Sequence, residues 1–185
     1  MTAALDDDLV QRIDHLGHTT WTGTAYRYTT SRRDPLSGAG ARLFGGRWNP
    51  KDIFATIYLA SPVEACAGEV ERAALALGTV PEIMLKAPYL LHTVEAKSLR
   101  VLDLRGEPAL AQVGLSMADI LDDDWTACQT VGHAAWFLEI QGILVRSASG
   151  AGMVVAAFES HLTSGQLSVT QSQDFTPDLY ATIRP

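Results

Sequence analysis

Phe44-Gly45-Gly46-Arg47-Trp48-Asn49-Pro50, followed by Thr56-Ile57-Tyr58-Leu59-Ala60 and then Ser61-Pro62-Val63-Glu64, is the stretch on which the reading of this chain turns. A glycine pair ahead of an arginine lets backbone approach a bound group closely. The planar guanidinium suits two-pronged capture of phosphate or carboxylate, so the loop is a candidate anion seat. Pro50 closes the loop, and the β-branched and aromatic run from Thr56 to Ala60 reads as a short buried strand. Ser61-Pro62-Val63-Glu64 has the form of a capping box with proline at the first helical position, which predicts a helix from Ser61 to Leu77. Glu69 lies about two turns into that helix, where its carboxylate faces either solvent or a cleft beside the strand.

Upstream, Leu9, Val10, Ile13 and Leu16 repeat at helical spacing behind Asp6, Asp7 and Asp8, and Gly17 stops the pattern, so residues 1–20 hold a packing helix. Trp21 to Thr29 alternates as a strand that turns Tyr26 and Tyr28 one way and Arg27 the other. Arg32 to Ala41 is a loop by its Asp34-Pro35, Ser37-Gly38 and Gly40. Downstream, Tyr89–Glu95 and Leu99–Leu104 read as two strands, and Glu107–Gly114 and Ser116–Leu121 as short helices. Asp124 is the expected cap of a longer helix to Gln141, ended by Gly142. Ile143–Val145, Met153–Phe158 and Leu167–Thr170 read as strands around a Ser147–Gly152 loop, and Pro177–Ile183 as a closing helix. This order predicts a mixed α/β (α+β) fold with a largely antiparallel sheet.

With 185 residues, 47% hydrophobic and 19% charged, the composition is that of one globular domain spanning 1–185. A net charge of -7 without a basic cluster argues against direct nucleic acid binding and against anionic membranes. The acidic start lacks the pattern of a secretory signal, and no apolar run spans a bilayer, so the expected location is cytoplasmic. Cys66 and Cys128 sit beside alanines in predicted helices as reduced core residues.

The chain carries no Walker loop and no dinucleotide fingerprint. Five scattered histidines form no metal-ligand pattern, so no metal and no cofactor are expected. Arg27 alone reads as well as a structural ion pair as a ligand-binding group, and Tyr58 as well as a core residue. Glu64, Glu71 and Arg72 around Glu69 are compatible with a solvated charged face. Thr126, inside the start of the long helix, is placed to seat a phosphate, in competition with Asp124 for the same amides.

In this order and spacing, Tyr26-Arg27-Tyr28, Gly45-Gly46-Arg47-Trp48-Asn49, Ile57-Tyr58-Leu59-Ala60 with Glu69, and Ile143-Leu144-Val145-Arg146-Ser147-Ala148 resemble the RES-domain family, named for an arginine, a glutamate and a serine. The resemblance covers Trp21 to Glu159 and looks closest to the actinobacterial toxins of that family. The family often has Pro-Ser-Ala where this chain has Arg146-Ser147-Ala148, so either Ser147 or Thr126 supplies the site hydroxyl.

The resemblance implies a fold similar to that of ADP-ribosyltransferases, a split antiparallel sheet flanked by helices. It implies the toxin of a toxin-antitoxin pair that degrades NAD+ by phosphorolysis of the nicotinamide-ribose bond, using NAD+ and inorganic phosphate as substrates. Arg27, Tyr58 and Glu69 would then be catalytic, and Tyr28, Arg47, Thr126 and Ser147 would bind NAD or phosphate. The implied partner is a helical DNA-binding antitoxin of the Xre type that covers the active site. An NAD glycohydrolase, an ADP-ribosyltransferase acting on a macromolecule, and a non-catalytic nucleotide- or protein-binding module are the alternatives. A transferase often places an acidic residue two positions before the catalytic one, where this chain has Ala67.

Overall fold

A computed structural model describes residues 5–184. The first helix, α1 (Asp7–Leu16), starts where Asp6 accepts hydrogen bonds from the backbone N–H groups of Asp8 and Leu9, and it stops at Gly17. It is followed by β1 (Thr19–Thr30), the short helix α2 (Ala39–Phe44), β2 (Thr56–Ser61) and α3 (Val63–Ala76). Then come α4 (Pro81–Met84), the long strand β3 (Tyr89–Asp103), α5 (Glu107–Gln112), α6 (Met117–Leu121) and α7 (Thr126–Phe137). The chain closes with β4 (Gly142–Arg146), β5 (Met153–Phe158), β6 (Leu167–Asp174) and α8 (Pro177–Ile183).

The sheet runs β1-β2-β5-β4-β3-β6, and β3 also pairs with β1. Five strands therefore close into a ring, a barrel, with β6 lying along the first half of β3. Among the described residues only the short β3–β4 pairing is parallel. The antiparallel character matches expectation, but the sheet is not split. The long β1–β3 ladder, from Thr19 with Val101 to Thr30 with Tyr89, ties the two ends together.

Two strands were expected where β3 is one. Its continuity rests on a bulge: Thr22 of β1 faces both Lys97 and Ser98, Ser98 takes φ +50°, and the Thr22 Oγ1 accepts its backbone N–H at 2.9 Å. The capping box at Ser61 also fails, because the Ser61 Oγ donates across the sheet to Thr24 O and α3 begins at Val63. At the other long helix, Asp124 accepts the Thr126 N–H from just outside, and α7 ends at Phe137 rather than Gln141. There Glu139 takes φ +57° and the Ile140 N–H reaches back to Ala135 O, a left-handed helix end without glycine.

Three apolar clusters follow from the strand alternation. Ala25, Ile57, Leu59, Val94, Leu144 and Val155 fill the barrel interior. On the outer face, α1, α5, α6 and α7 cover one part of the sheet, with Ile13, Trp48, Val131 and Phe158 at its heart. The helices α3, α4 and α8 cover another, through Ala65, Cys66, Val70, Phe175 and Tyr180. Val154 touches both outer clusters, so the seam between the two helical layers runs over β2 and β5. No helix among the described residues is long and apolar enough to cross a membrane.

Candidate active site

A cleft of about 1140 Å³ opens along that seam. Its floor is strand, with Tyr58, Ala60 and Val154, and its walls come from α3 on one side and the Phe44–Trp48 loop with Trp125 on the other. Arg27, Tyr28, Arg47, Tyr58 and Glu69 all line it; Ser147 is buried directly behind Glu69. Thr126 does not line it: the residue is exposed on the helix start, with its N–H taken by Asp124.

Glu69 faces the cleft because its neighbours on α3 face the core: Ala65, Cys66, Ala67, Gly68 and Val70 are buried. Its Oε1 accepts a 2.7 Å hydrogen bond from the Ser147 hydroxyl. Ser147 is 2% exposed, and its oxygen also receives the Ser149 N–H at 3.1 Å and lies 2.7 Å from the Ser149 Oγ. Gly68 is what lets Ser149 sit there, since a Cβ on Gly68 would lie 2.5 Å from the Ser149 Oγ and 2.6 Å from its Cβ. Arg72, one turn on from Glu69, donates to Ala148 O and pairs with Asp123, holding the same loop from the other side.

The glycine-arginine loop lines the cleft and is held by buried side chains. A Cβ on Gly46 would meet the Tyr58 Oη at 2.5 Å and the Asn49 Oδ1 at 2.7 Å, so this glycine makes room for both side chains while it lines the cleft. The Tyr58 hydroxyl accepts the Trp48 N–H at 2.9 Å and donates to the Asn49 Oδ1 at 2.8 Å. Asn49, fully buried, uses its amide on Ala41 O. Burial pushes the Tyr58 hydroxyl pKa up, so the group stays protonated. Arg47 donates to Asp119 O at 3.3 Å and Asp122 O at 2.7 Å and lies over the Trp125 ring, 5.6 Å from its centroid.

Arg27 has a similar double commitment. Its two terminal nitrogens donate to Pro35 O at 2.9 Å and Ser37 O at 3.0 Å, fastening the loop that leads to α2. Burial lowers its pKa, opposed by the charges of Glu159 and Asp34. On the opposite face of β1, Tyr28 packs against Tyr89 and Phe175, and burial raises its pKa too. Burial and then the Glu69 charge push the Cys66 thiol up to about 12, so it is inert beside the acid.

Sequence reasoning missed Gly68, Asn49, Gln129 and Ser149 as parts of the site. Gln129 clamps the loop from α7 by donating to Gly46 O at 2.9 Å. Among these, only Asn49 carried a signal, as a polar residue inside the quoted loop. Among the described residues no group of three His, Cys, Asp or Glu side chains lies close enough to hold a metal ion.

Among the described residues five arginines, Arg27, Arg33, Arg47, Arg72 and Arg146, line the cleft against two carboxylates, Glu69 and Asp123, in a chain whose net charge is -7. The class is that of a ring-sheet protein with an acid and its serine in an arginine-rich seam. The chain belongs to the RES domain family, whose model matches residues 21–178. It is 55% identical over 184 residues, covering 100% of this chain and 99% of the relative, to proteins named NAD(+) phosphorylase MbcT from Mycobacterium bovis and Mycobacterium tuberculosis. The crystal structure of the M. tuberculosis MbcT-MbcA toxin-antitoxin complex contains a chain similar to this one, with TM-score 0.93 and 55% identity over 98% of this chain and 99% of that one.

Proposed function

We propose that this protein is an NAD+ phosphorylase and the toxin of a toxin-antitoxin pair. The observation that carries the reading is a carboxylate, Glu69, aimed by Ser147 into a cleft that gathers five arginines. The full-length likeness to the NAD(+) phosphorylases supports it. The reaction breaks the bond between ribose C1'' and the nicotinamide nitrogen. The bonding pair goes to that nitrogen and cancels its charge, so no acid is needed for departure. A phosphate oxygen then bonds to C1'', giving nicotinamide and ADP-ribose 1''-phosphate. Positive charge develops on the ribose in the transition state, where Glu69 stabilises it by charge and by a hydrogen bond to a ribose hydroxyl.

Ser147 is a positioning residue in this scheme, and Arg27, Tyr28 and Arg47 shape the seat for NAD+ and phosphate. Tyr58 holds the loop that carries Arg47. Thr126, at the exposed start of α7 and outside the cleft lining, takes no part in this scheme. Positioning and electrostatics supply the rate, with NAD+ and phosphate as substrates and no cofactor. The fold proposed by this reading is a closed relative of the ADP-ribosyltransferase sheet, with 1–185 a single RES domain that works in the cytoplasm. A cognate antitoxin, helical and of the Xre DNA-binding type, is proposed to cover the cleft. The exposed Phe44, Leu75, Leu77 and Trp125 along its rim give such a partner an apolar footing.

Incubation with NAD+ and phosphate should yield nicotinamide and ADP-ribose 1''-phosphate, read by chromatography. Release of nicotinamide at a rate indifferent to phosphate would make the protein a glycohydrolase instead. Ala67, 0% exposed, offers an acceptor no activating carboxylate in the transferase reading.

A further inference from the structure

Of the five cleft arginines, three are engaged: Arg27 with Pro35 O and Ser37 O, Arg47 with Asp119 O and Asp122 O, and Arg72 with Asp123 and Ala148 O. Arg33 donates no side-chain hydrogen bond and joins no ion pair among the described residues, yet it lines the cleft. Arg146 is also without a partner among the described residues, and both arginines are exposed, but Arg146 is shared with a separate hollow beside Arg105 and Asp103. Arg33 is placed with more care. Its backbone N–H closes a turn onto Thr30 O at the end of β1. A Cβ on Gly40 would lie 2.9 Å from its Nη1, so the guanidinium rests against α2 at Gly40.

We propose that Arg33 is the phosphate-gripping arginine of this cleft: its unengaged guanidinium, laid against Gly40 beside Arg27, takes a phosphoryl group of the dinucleotide or the inorganic phosphate acceptor. The proposal rests on the phosphorylase reading and names who holds its anion. An unpaired guanidinium keeps its full fork of donors for two phosphate oxygens, whereas Arg27 and Arg47 have spent part of theirs on carbonyls.

Arg33→Ala and Arg33→Lys, at an exposed position, should fold as the parent does, checked by thermal melting. With NAD+ varied at saturating phosphate and phosphate varied at saturating NAD+, Arg33→Ala should raise one KM roughly ten- to a hundredfold. A change in the NAD+ KM assigns the pyrophosphate; a change in the phosphate KM assigns the acceptor. Arg33→Lys should recover only part, since an ammonium keeps the charge and loses the fork. Calorimetric binding of inorganic pyrophosphate and of phosphate to the same proteins gives the readout that needs no turnover. A protein inert toward NAD+ that loses anion affinity in Arg33→Ala sinks the phosphorylase reading and keeps this one. Both KM values and both anion affinities within twofold of the parent would overturn the role of Arg33.

Discussion

The Ser147 hydroxyl donates to the Glu69 Oε1 at 2.7 Å, joining the loop after β4 to the middle of α3 across 78 positions of sequence. The Ser149 N–H on the same oxygen leaves the single Ser147 proton for the carboxylate. A hydrogen bond to a charged group contributes about 1.5–3 kcal/mol. Ser147→Ala should therefore lower the melting temperature, by about 1.5–3 kcal/mol of stability, and lower NAD+ turnover of the folded protein roughly ten- to a hundredfold. Glu69→Ala should abolish turnover with the fold intact, since alanine suits a mid-helix position. Unchanged turnover in Ser147→Ala would remove Ser147 from the site.

Arg47→Lys tests whether the loop carries Arg47 for a ligand or for the protein. One ammonium cannot bridge Asp119 O and Asp122 O while lying over Trp125. The variant should lose stability by about 1–2 kcal/mol and lose turnover with it. A loss of turnover at unchanged melting temperature would show that the carbonyl bridge is unimportant and that Arg47 serves substrate directly.

The local signals in the sequence were read correctly where one element satisfies itself. Asp6 and Gly17 bound α1, Glu69 falls on α3, and the Ser147–Gly152 segment is a loop, because caps, turns and periodicity are short-range. What was misread depends on partners distant in sequence. Ser61 left its capping role for Thr24 O, and the bulge at Ser98 merged two strands into one. The closing of the sheet rests on a β1–β3 register that no local pattern encodes. In the site, Arg27, Arg47 and Glu69 do reach one cleft, but Gly46, Gly68 and Gly132 are glycines for reasons visible only once Tyr58, Ser149 and the Trp48 carbonyl are packed against them.

Tyr58→Phe removes a hydroxyl that serves two buried partners. The Trp48 N–H and the Asn49 Oδ1 would both lose it, and Asn49 has no access to water. An orphaned buried group costs about 1–3 kcal/mol, so denaturant unfolding should shift to a lower midpoint by that amount. The folded fraction should keep most of its turnover. A normal midpoint with turnover abolished would give the hydroxyl a chemical role instead.

His92 supplies a pH dependence whose sign can be worked out. Burial, and then the charge of Arg27, lower its pKa from the ordinary value near 6.5. Its two ring nitrogens lie 2.9 Å from the Thr29 Oγ1 and 2.7 Å from the Ser172 Oγ. The unfolded chain therefore takes up a proton at a higher pH than the folded one. The stability is fully present above about pH 6.5 and is lost as pH falls below that value toward the folded pKa. Melting temperatures measured from pH 7.5 down to 5.5 should fall, and His92→Gln should flatten that part of the profile. A profile identical in the two proteins would exclude His92 as its source.

Gly68→Ala sets helix propensity against the site. In a helix interior alanine is favoured over glycine by about 1 kcal/mol, so intrinsic preference predicts a more stable α3. The structure predicts the reverse for function. The new Cβ would stand 2.5 Å from the Ser149 Oγ and 2.6 Å from its Cβ, distances that real carbon atoms do not share. Ser149 must then move, and with it the N–H that fixes the Ser147 oxygen and the hydroxyl aimed at Glu69. Turnover should drop by at least tenfold with the melting temperature held or lowered slightly. Gly68→Ala combined with Ser149→Gly removes the colliding side chain and keeps the backbone N–H that Ser147 accepts, so the double variant should regain most of the lost turnover. Failure of that rescue, with both proteins folded, would mean that Gly68 serves the substrate and not the loop.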